Sequence, residues 1–341
     1  NNYIFYIFSL ILYMISLLTI VYVKLNFKLN KLIAIISIFF ALFYSFDYLR
    51  NKSILFMPKE YKTIKKIVNQ IASKNNLGDE EITFSINNGS FMSWRAKSLN
   101  LCNDDLCWYF SNLNPYRKYK NFNGTNLNEL ANQSYLYGGL EAYAWKRIVW
   151  LSRSTFRSYG KNEDILACTI GHEIAHIIYD DHIPQSIKLS EKLRSLEAVE
   201  SNILNKKNKQ LKNKQGKNKE EENKKEEIKE EENKKLNLLK MELSRETEME
   251  ADKNASKMII NAGYANNTCE RNLTFMTKFE KLETETDRES THPGYIERYE
   301  SLRKFNEKYE NITNLESYKP YQWKWEYRRK INSLIFIPQN K

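Results

Sequence analysis

The sequence His172-Glu173-Ile174-Ala175-His176 places two of the four histidines of the chain one helical turn apart, with a carboxylate beside the first. On a helix, positions i and i+4 lie on the same face, so both imidazoles can bind one tetrahedral zinc ion at about 2.0–2.1 Å. Asn162 stands at the N-cap position, and the spacing of apolar residues after it predicts a buried helix over residues 163–179. Glu173 lies beside the metal without binding it and is placed to take a proton from a water activated there.

Two histidines leave a catalytic zinc one protein ligand short, and two residues compete for that place. His182 follows His172 by ten residues, which is the metzincin spacing, but Tyr179 stands where that pattern has a glycine. Glu248 and Asp252 are also spaced i and i+4 on a predicted helix. One of these carboxylates could bind the metal while the other orients a ligand histidine.

Three segments resemble, in this order, the signature blocks of metallopeptidase family 48. They are HEIAH (residues 172–176), SRETEMEADKNASKMIINAGY (residues 244–264) and THPGYIER (residues 291–298). The family includes the bacterial heat-shock membrane protease HtpX, the CAAX prenyl protease 1 group and the mitochondrial Oma-type proteases. The resemblance extends over about residues 130–303 and implies a zinc-dependent peptidase of the gluzincin type.

The resemblance also implies roles for individual residues. One zinc ion per chain would be held by His172, His176 and Glu248. Glu173 would be the general base, and Asp252 would orient a ligand histidine. His292 would face the metal and help to stabilise the oxyanion, and Arg298 would be a structural or substrate-side partner.

One part of the chain departs from the family pattern. Members usually carry an Asn-Ala-Phe-Ala stretch and a Pro-Gly-Gly turn before an edge strand that aligns the substrate as an added strand. Here residues 141–145 read Glu-Ala-Tyr-Ala-Trp, and Lys146 leads directly into a strand-like segment at residues 147–152. An acid thus replaces the amide, and the Pro-Gly-Gly turn is missing.

The N-terminal residues are strongly apolar. Residues 3–23 form an uncharged run of 21 residues, long enough to cross a hydrocarbon core of about 30 Å, although a signal peptide is the alternative. Residues 32–46 form a second apolar stretch, which predicts a second span or an interfacial or buried helix. The lysines and arginines that follow favour a cytoplasmic catalytic domain, whereas a single span would allow the opposite side. We therefore expect an integral membrane protein, located in a bacterial inner membrane.

The expected fold is α+β and mainly helical, a zincin-like metallopeptidase domain with a small sheet, preceded by one or two transmembrane helices. Residues 1–50 form the membrane anchor and residues 51–130 a juxtamembrane region that packs on the catalytic domain. The metallopeptidase domain covers residues 131–310, with a charged low-complexity insertion at residues 205–235, and residues 311–341 form a basic tail. Residues 109–132 are rich in Asn, Tyr and Lys and predict a loop.

Composition limits the possible partners. The net charge is +11, yet no nucleic-acid recognition module accompanies the basic residues, and anionic lipid head groups explain them more simply. We expect protein or peptide substrates and membrane lipids as partners, and no nucleic acid. The four cysteines are too few for a disulfide scaffold. Cys168 is predicted to lie in the core, while Cys102 and Cys107 could pair or stay free.

These observations predict a membrane-anchored zinc endopeptidase that acts in quality control or processing of membrane proteins. Two alternatives stay open. One is a metzincin-like protease with His182 as the third ligand. The other is a non-catalytic membrane adaptor or chaperone with a structural zinc ion.

Overall fold

The computed structural model of the chain describes residues 57–103, 105–179, 218–280, 284–310 and 322–339, together with residues 14, 35 and 39. The two predicted membrane spans lie outside the described residues except at those three positions, and His182 lies outside them as well. Within the described ranges, no helix is both long enough and apolar enough to cross a membrane. Mutual contacts group residues 58–326 and 331–341 into one compact unit, and residues 1–57 and 327–330 into a second.

The described part of the chain is mainly helical, with one short 3₁₀ turn at Arg329–Ile331. In chain order, the helices are α1 (Lys59–Ala72), α2 (Ser90–Ser98), α3 (Trp108–Ser111), α4 (Leu127–Tyr137), α5 (Arg153–Tyr159), α6 (Glu163–Ile178), α7 (Asn218–Asn261), α8 (Thr268–Glu280) and α9 (Tyr295–Glu310).

Within the described ranges, five strands form one mixed sheet with the order β2-β3-β1-β5-β4. They are β1 (Ile82–Asn87), β2 (Ala142–Trp145), β3 (Ile148–Ser152), β4 (Gln322–Arg328) and β5 (Ser333–Gln339). Strand β1 runs parallel to β3 and antiparallel to β5, while β2 and β3 form an antiparallel hairpin. The predicted α+β class with a small sheet is confirmed.

One edge of the sheet precedes α6 in the chain and is formed by β2. The strand-like segment at residues 147–152 forms β3, which lies between β2 and β1. Trp145 pairs with Ile148, so the two strands are joined by a turn of only Lys146 and Arg147. Lys146 adopts a left-handed backbone conformation with a φ of 53°. The two strands are thus joined without a Pro-Gly-Gly turn.

The predicted loop contains regular structure, and the charged insertion, for which the sequence left open a solvated segment or the tip of a charged helical hairpin, is helical where it is described. Helix α4 begins at Leu127, inside the predicted loop, and the side chain of Asn126 caps it by accepting from the backbone N–H groups of Asn128 and Glu129. Helix α7 already includes residue 218, so the described part of the charged insertion is helical. The rest of that insertion, residues 205–217, lies outside the described residues.

The C-terminal segment predicted as a basic tail also proves to contain structure. Residues 322–339 include both β4 and β5, and Leu334 of β5 pairs with Phe84 of β1. Leu334 and Phe336 are fully buried. This segment is therefore part of the sheet and its core.

Helix α6 carries the HExxH sequence and is confirmed within one residue of its predicted end. Asn162 occupies the N-cap position, although its side chain makes no capping hydrogen bond. The apolar face of α6 is buried, and α6 packs on α7 at Gly171, which lies against Ile259 and Ala255. A Cβ atom built on Gly171 of α6 would lie 3.8 Å from the Cβ of Ala255 on α7. This close packing brings the side chains of α7 within reach of the two histidines.

Candidate metal centre

His172 and His176 lie on one face of α6, as their spacing predicts. Their Nε2 atoms are 3.1 Å apart, and the two ring planes meet almost at a right angle. Both side chains are largely buried, with 13% and 14% of their surface exposed. The two rings therefore converge on one point at the bottom of a cleft.

Glu248 on α7 completes a group of three potential ligands. Its Oε2 lies 3.3 Å from the Nε2 of His172, and its Oε1 lies 3.5 Å from the Nε2 of His176. Ligands held at about 2.0–2.1 Å in a tetrahedron are separated from one another by about 3.3 Å. The three donors fit a zinc ion in both chemistry and spacing, and they are the group within the described residues that could hold a metal ion.

Asp252 and Arg298 fix the orientation of His172 from the side away from the other ligands. The Oδ1 of Asp252 lies 3.0 Å from the Nδ1 of His172, which leaves Nε2 free to face the metal. The guanidinium of Arg298 in turn donates two hydrogen bonds of 2.7 Å to the Asp252 carboxylate. Asp252 and Arg298 are 5% and 9% exposed, so this bidentate pair is buried.

The buried charges shift the pKa values of the site strongly. Burial favours the neutral form of His172, but Asp252 and Glu248 outweigh it and raise the pKa of His172 to about 10. Burial alone would raise the pKa of Glu248, yet both histidines and Arg298 lower it to about 2. The pKa of Asp252 is lowered in the same way, chiefly by Arg298, against the effect of its burial. The site therefore keeps both carboxylates ionised and attracts positive charge.

Glu173 differs from these two acids. It follows His172 on α6, is 6% exposed and lines the cleft beside the histidines. Burial raises the pKa of its carboxyl, and the nearby positive charges compensate only in part. A carboxylate with a raised pKa is a stronger base, which suits proton transfer near neutral pH.

His292 lies on the segment between α8 and α9 and faces the same cleft. Its Nε2 is 3.9 Å from the Oε2 of Glu248, and its Nδ1 is 2.9 Å from the hydroxyl of Thr291. Unlike the other site residues, its side chain is 63% exposed. It is thus near the metal centre but open to a bound substrate.

The cleft has a volume of about 770 Å³, and three kinds of wall surround it. Edge strand β2 contributes Ala142, Tyr143 and Ala144, and the segment before α9 contributes Glu285, Asp287 and Glu289. Helix α8 provides the third wall through Asn272, Leu273 and Met276. The edge strand β2 and the metal centre thus line the same cleft.

Glu141, the acid that departs from the family pattern, anchors the start of β2. Its carboxylate accepts hydrogen bonds from the backbone N–H of Ser90 at 2.8 and 3.0 Å and from the Ser90 hydroxyl at 2.9 Å. Its backbone N–H donates to Thr155 Oγ1, and its carbonyl accepts from Ser152 N–H. A Cβ atom on Gly89 would come within 2.8 Å of the carboxylate, so glycine is needed there. The sequence alone gave no sign of this anchoring.

The wall formed by α8 is tied to the metal-binding helix by contacts that the sequence did not reveal. Cys168, one turn before His172, forms a disulfide with Cys269 at the start of α8. Asn272 lies 2.6 Å from the hydroxyl of Tyr159 and donates to Thr169 Oγ1 at 3.2 Å. Cys168 is buried as predicted, but as half of a cystine. The second pair, left open by the sequence, is also bonded: Cys102 to Cys107.

All seven site residues named from the sequence thus meet in one cleft: His172, Glu173, His176, Glu248, Asp252, His292 and Arg298. A family model described as Peptidase family M48 matches residues 127–306, which is more than half of the chain. The chain therefore belongs to peptidase family M48 and is a metallopeptidase. No curated protein and no solved structure matched the chain. The matched range begins at α4 and ends within α9, so it contains the whole metal centre.

Proposed function

We propose that this metallopeptidase is a membrane-anchored zinc endopeptidase that cleaves peptide bonds in membrane-associated or misfolded proteins. The observation that carries the proposal is the convergence of the His172, His176 and Glu248 donors, 3.1–3.5 Å apart, beside a buried carboxylate. Membership of family M48 supports the same chemistry.

The proposed reaction divides the work between the metal and the side chains. A zinc ion held by His172, His176 and Glu248 supplies Lewis-acid activation of water and of the scissile carbonyl. Glu173 accepts the proton of the attacking water and returns it to the leaving amine. Its raised pKa makes both transfers feasible, because the carboxylate binds the proton readily and the acid still releases it.

Three further residues act around this step. His292 donates a hydrogen bond to the oxyanion as negative charge develops there, and its exposed position lets it reach a bound peptide. The carboxylate of Asp252, 3.0 Å from the Nδ1 of His172, would orient the imidazole so that its Nε2 is directed at the metal. Arg298 holds Asp252 in turn through its bidentate hydrogen bonds.

Strand β2 supports an endopeptidase. It pairs with β3 through one edge and stands at the end of the sheet, and three of its residues line the cleft. A polypeptide could add along the outer side of β2 through backbone hydrogen bonds, without a requirement for a chain terminus. Such binding recognises the backbone N–H and C=O groups of the substrate and tolerates many side chains, which suits misfolded substrates.

The membrane part of the proposal rests on the sequence. The uncharged run at residues 3–23 is long enough to span a bilayer, and residues 32–46 form a second apolar stretch. An anchored peptidase would meet substrates at or near the bilayer, and the basic residues after these runs would contact anionic lipids.

The test is digestion of casein by detergent-solubilised, zinc-loaded full chain, compared with Glu173→Gln. We expect the variant to lose at least about 10²-fold in kcat, because it lacks the base, while its metal content stays unchanged. Glu129→Gln is a matched control, since Glu129 lies on α4 and is exposed. Equal activity of wild type and Glu173→Gln would refute the proposed mechanism.

A further inference from the structure

The segment that carries His292 is a compact loop with its own hydrogen bonds. In this His292 loop (residues 284–294), the N–H of Gly294 donates to Thr286 Oγ1 at 2.8 Å, and the N–H of His292 donates to Ser290 Oγ at 3.1 Å. A Cβ atom on Gly294 would lie 2.4 Å from the carbonyl carbon of Glu285, so the two ends of the loop touch. These bonds fix the shape of the loop but do not place it over the metal centre.

Arg245 on α7 holds the His292 loop next to the metal centre. One guanidinium nitrogen of Arg245 donates to the backbone carbonyls of Ser290 at 2.8 Å and Arg288 at 2.9 Å, with a longer contact to Asp287 at 3.4 Å. Arg245 precedes the ligand Glu248 by three residues, so both side chains leave the same face of α7. The helix that presents the third ligand therefore also holds the loop that presents His292.

We propose that Arg245 is a positioning residue that holds His292 at the metal centre by binding the carbonyls of the His292 loop. This inference rests on the proposed function, because His292 matters only if the site cleaves peptides. Hydrogen bonds from a charged donor are stronger than neutral ones, and three carbonyls of one short loop converge on a single cation. Without the Arg245 guanidinium, the loop would keep its internal hydrogen bonds and move as a unit, carrying His292 away from Glu248.

The experiment uses Arg245→Met, which keeps the aliphatic stem but removes the donors, and Arg245→Lys, which keeps a cation. The matched control is Arg271→Met on α8, where a half-exposed arginine pairs with Asp164. Each variant is made in the full chain, with and without His292→Ala, and kcat, KM and zinc content are measured. Hydrogen exchange of the peptide covering residues 286–294 is followed in the same proteins.

We expect Arg245→Met to lower kcat by about 10- to 10²-fold with KM and zinc content little changed, because a small displacement of a group that acts in the transition state is costly. Arg245→Lys should restore part of the loss, and Arg271→Met should match the wild type. In the His292→Ala background, Arg245→Met should cost less than about threefold, since the group that it positions is already gone. Independent, multiplying losses would overturn the proposal.

Hydrogen exchange tests the anchoring role of Arg245 independently of the proposed peptidase function. Arg245→Met should speed exchange across the His292 loop while the α7 peptides around Glu248 stay protected. Unchanged exchange in the loop would overturn the anchoring role even if catalysis were lost. Absence of peptidase activity in the wild type would refute the proposed function alone, because the exchange result tests the anchoring without a substrate.

Discussion

The buried pair of Asp252 and Arg298 offers the sharpest test of how this site is held together. Replacing Asp252 by leucine removes the acceptor of two hydrogen bonds of 2.7 Å and leaves a guanidinium that is only 9% exposed without its counter-charge. Breaking a buried ion pair from one side costs about 3–5 kcal/mol. We expect Asp252→Leu to lose that much free energy of unfolding.

The double variant Asp252→Leu/Arg298→Met separates stability from metal binding. With both members of the pair replaced and the volumes roughly kept, neither side chain of the pair is left buried without its partner, and part of the lost stability should return, although Glu173 and Glu248 lose the positive charge of Arg298. Zinc affinity should stay about 10- to 100-fold below the wild type in both variants, because the Nδ1 of His172 has lost the carboxylate 3.0 Å away that orients it.

The assay has two parts. Denaturant unfolding in excess chelator gives the free energy of folding without a contribution from metal binding, and competitive zinc titration gives the affinity. A loss below about 1 kcal/mol in Asp252→Leu would show that the pair is not effectively buried. Recovery of full zinc affinity in the double variant would refute the orienting role of Asp252.

Three further results are expected. Glu141→Ala should raise KM for long peptides several-fold with kcat little changed. Glu141→Gln can still accept hydrogen bonds from Ser90 and should keep a KM close to that of the wild type. Equal KM values for the wild type and both variants would contradict the anchoring of β2. Reduction of the Cys168–Cys269 disulfide should lower the free energy of unfolding by about 2–4 kcal/mol. In full-length protein from membranes, a thiol-labelling gel should show this pair oxidised, as in an oxidising compartment. Free thiols would instead favour the cytoplasmic placement expected from the lysines. The pKa of His172 is raised to about 10, so below pH 10 protons compete with zinc for this ligand. The apparent zinc affinity, measured by competitive titration, should therefore rise from about pH 6 to about pH 8. An affinity that does not change over this range would contradict the prediction.

Much of the metal centre could be predicted because its key relations are local. The pairs His172/His176 and Glu248/Asp252 each lie one helical turn apart, so a helix dictates which face they share. What local spacing could not decide was which distant residue meets the histidines. That choice depends on the packing of α6 against α7, where Gly171 lies against Ile259 and Ala255.

The sheet was harder to predict because its pairing is non-local. Strand β5 joins β1 from the far end of the chain, and its register places Leu334 opposite Phe84. Nothing in the basic residues around it indicates that contact. Strand β2 is only four residues long and alternates between half-buried and exposed positions, so its pattern is weaker than that of β3. The identity of the edge strand therefore emerged only from the structure.

The balance of charges in the cleft relates the acidic side chains of the site to metal binding. The carboxylates of Glu173, Glu248 and Asp252, the first and last of them buried, lie around the buried guanidinium of Arg298. With all three acids ionised, they exceed the guanidinium by two negative charges, which is costly in a buried site. The raised pKa of His172 shows that a proton offsets part of this excess, and a divalent cation would offset it instead. The acids Asp252 and Glu248 raise the pKa of His172 against the effect of its burial, whereas burial itself raises the pKa of Glu173. The charge excess that attracts the metal and the burial that makes Glu173 a base are thus separate properties of the cleft, and a variant that reduces its negative charge should weaken metal affinity more than basicity.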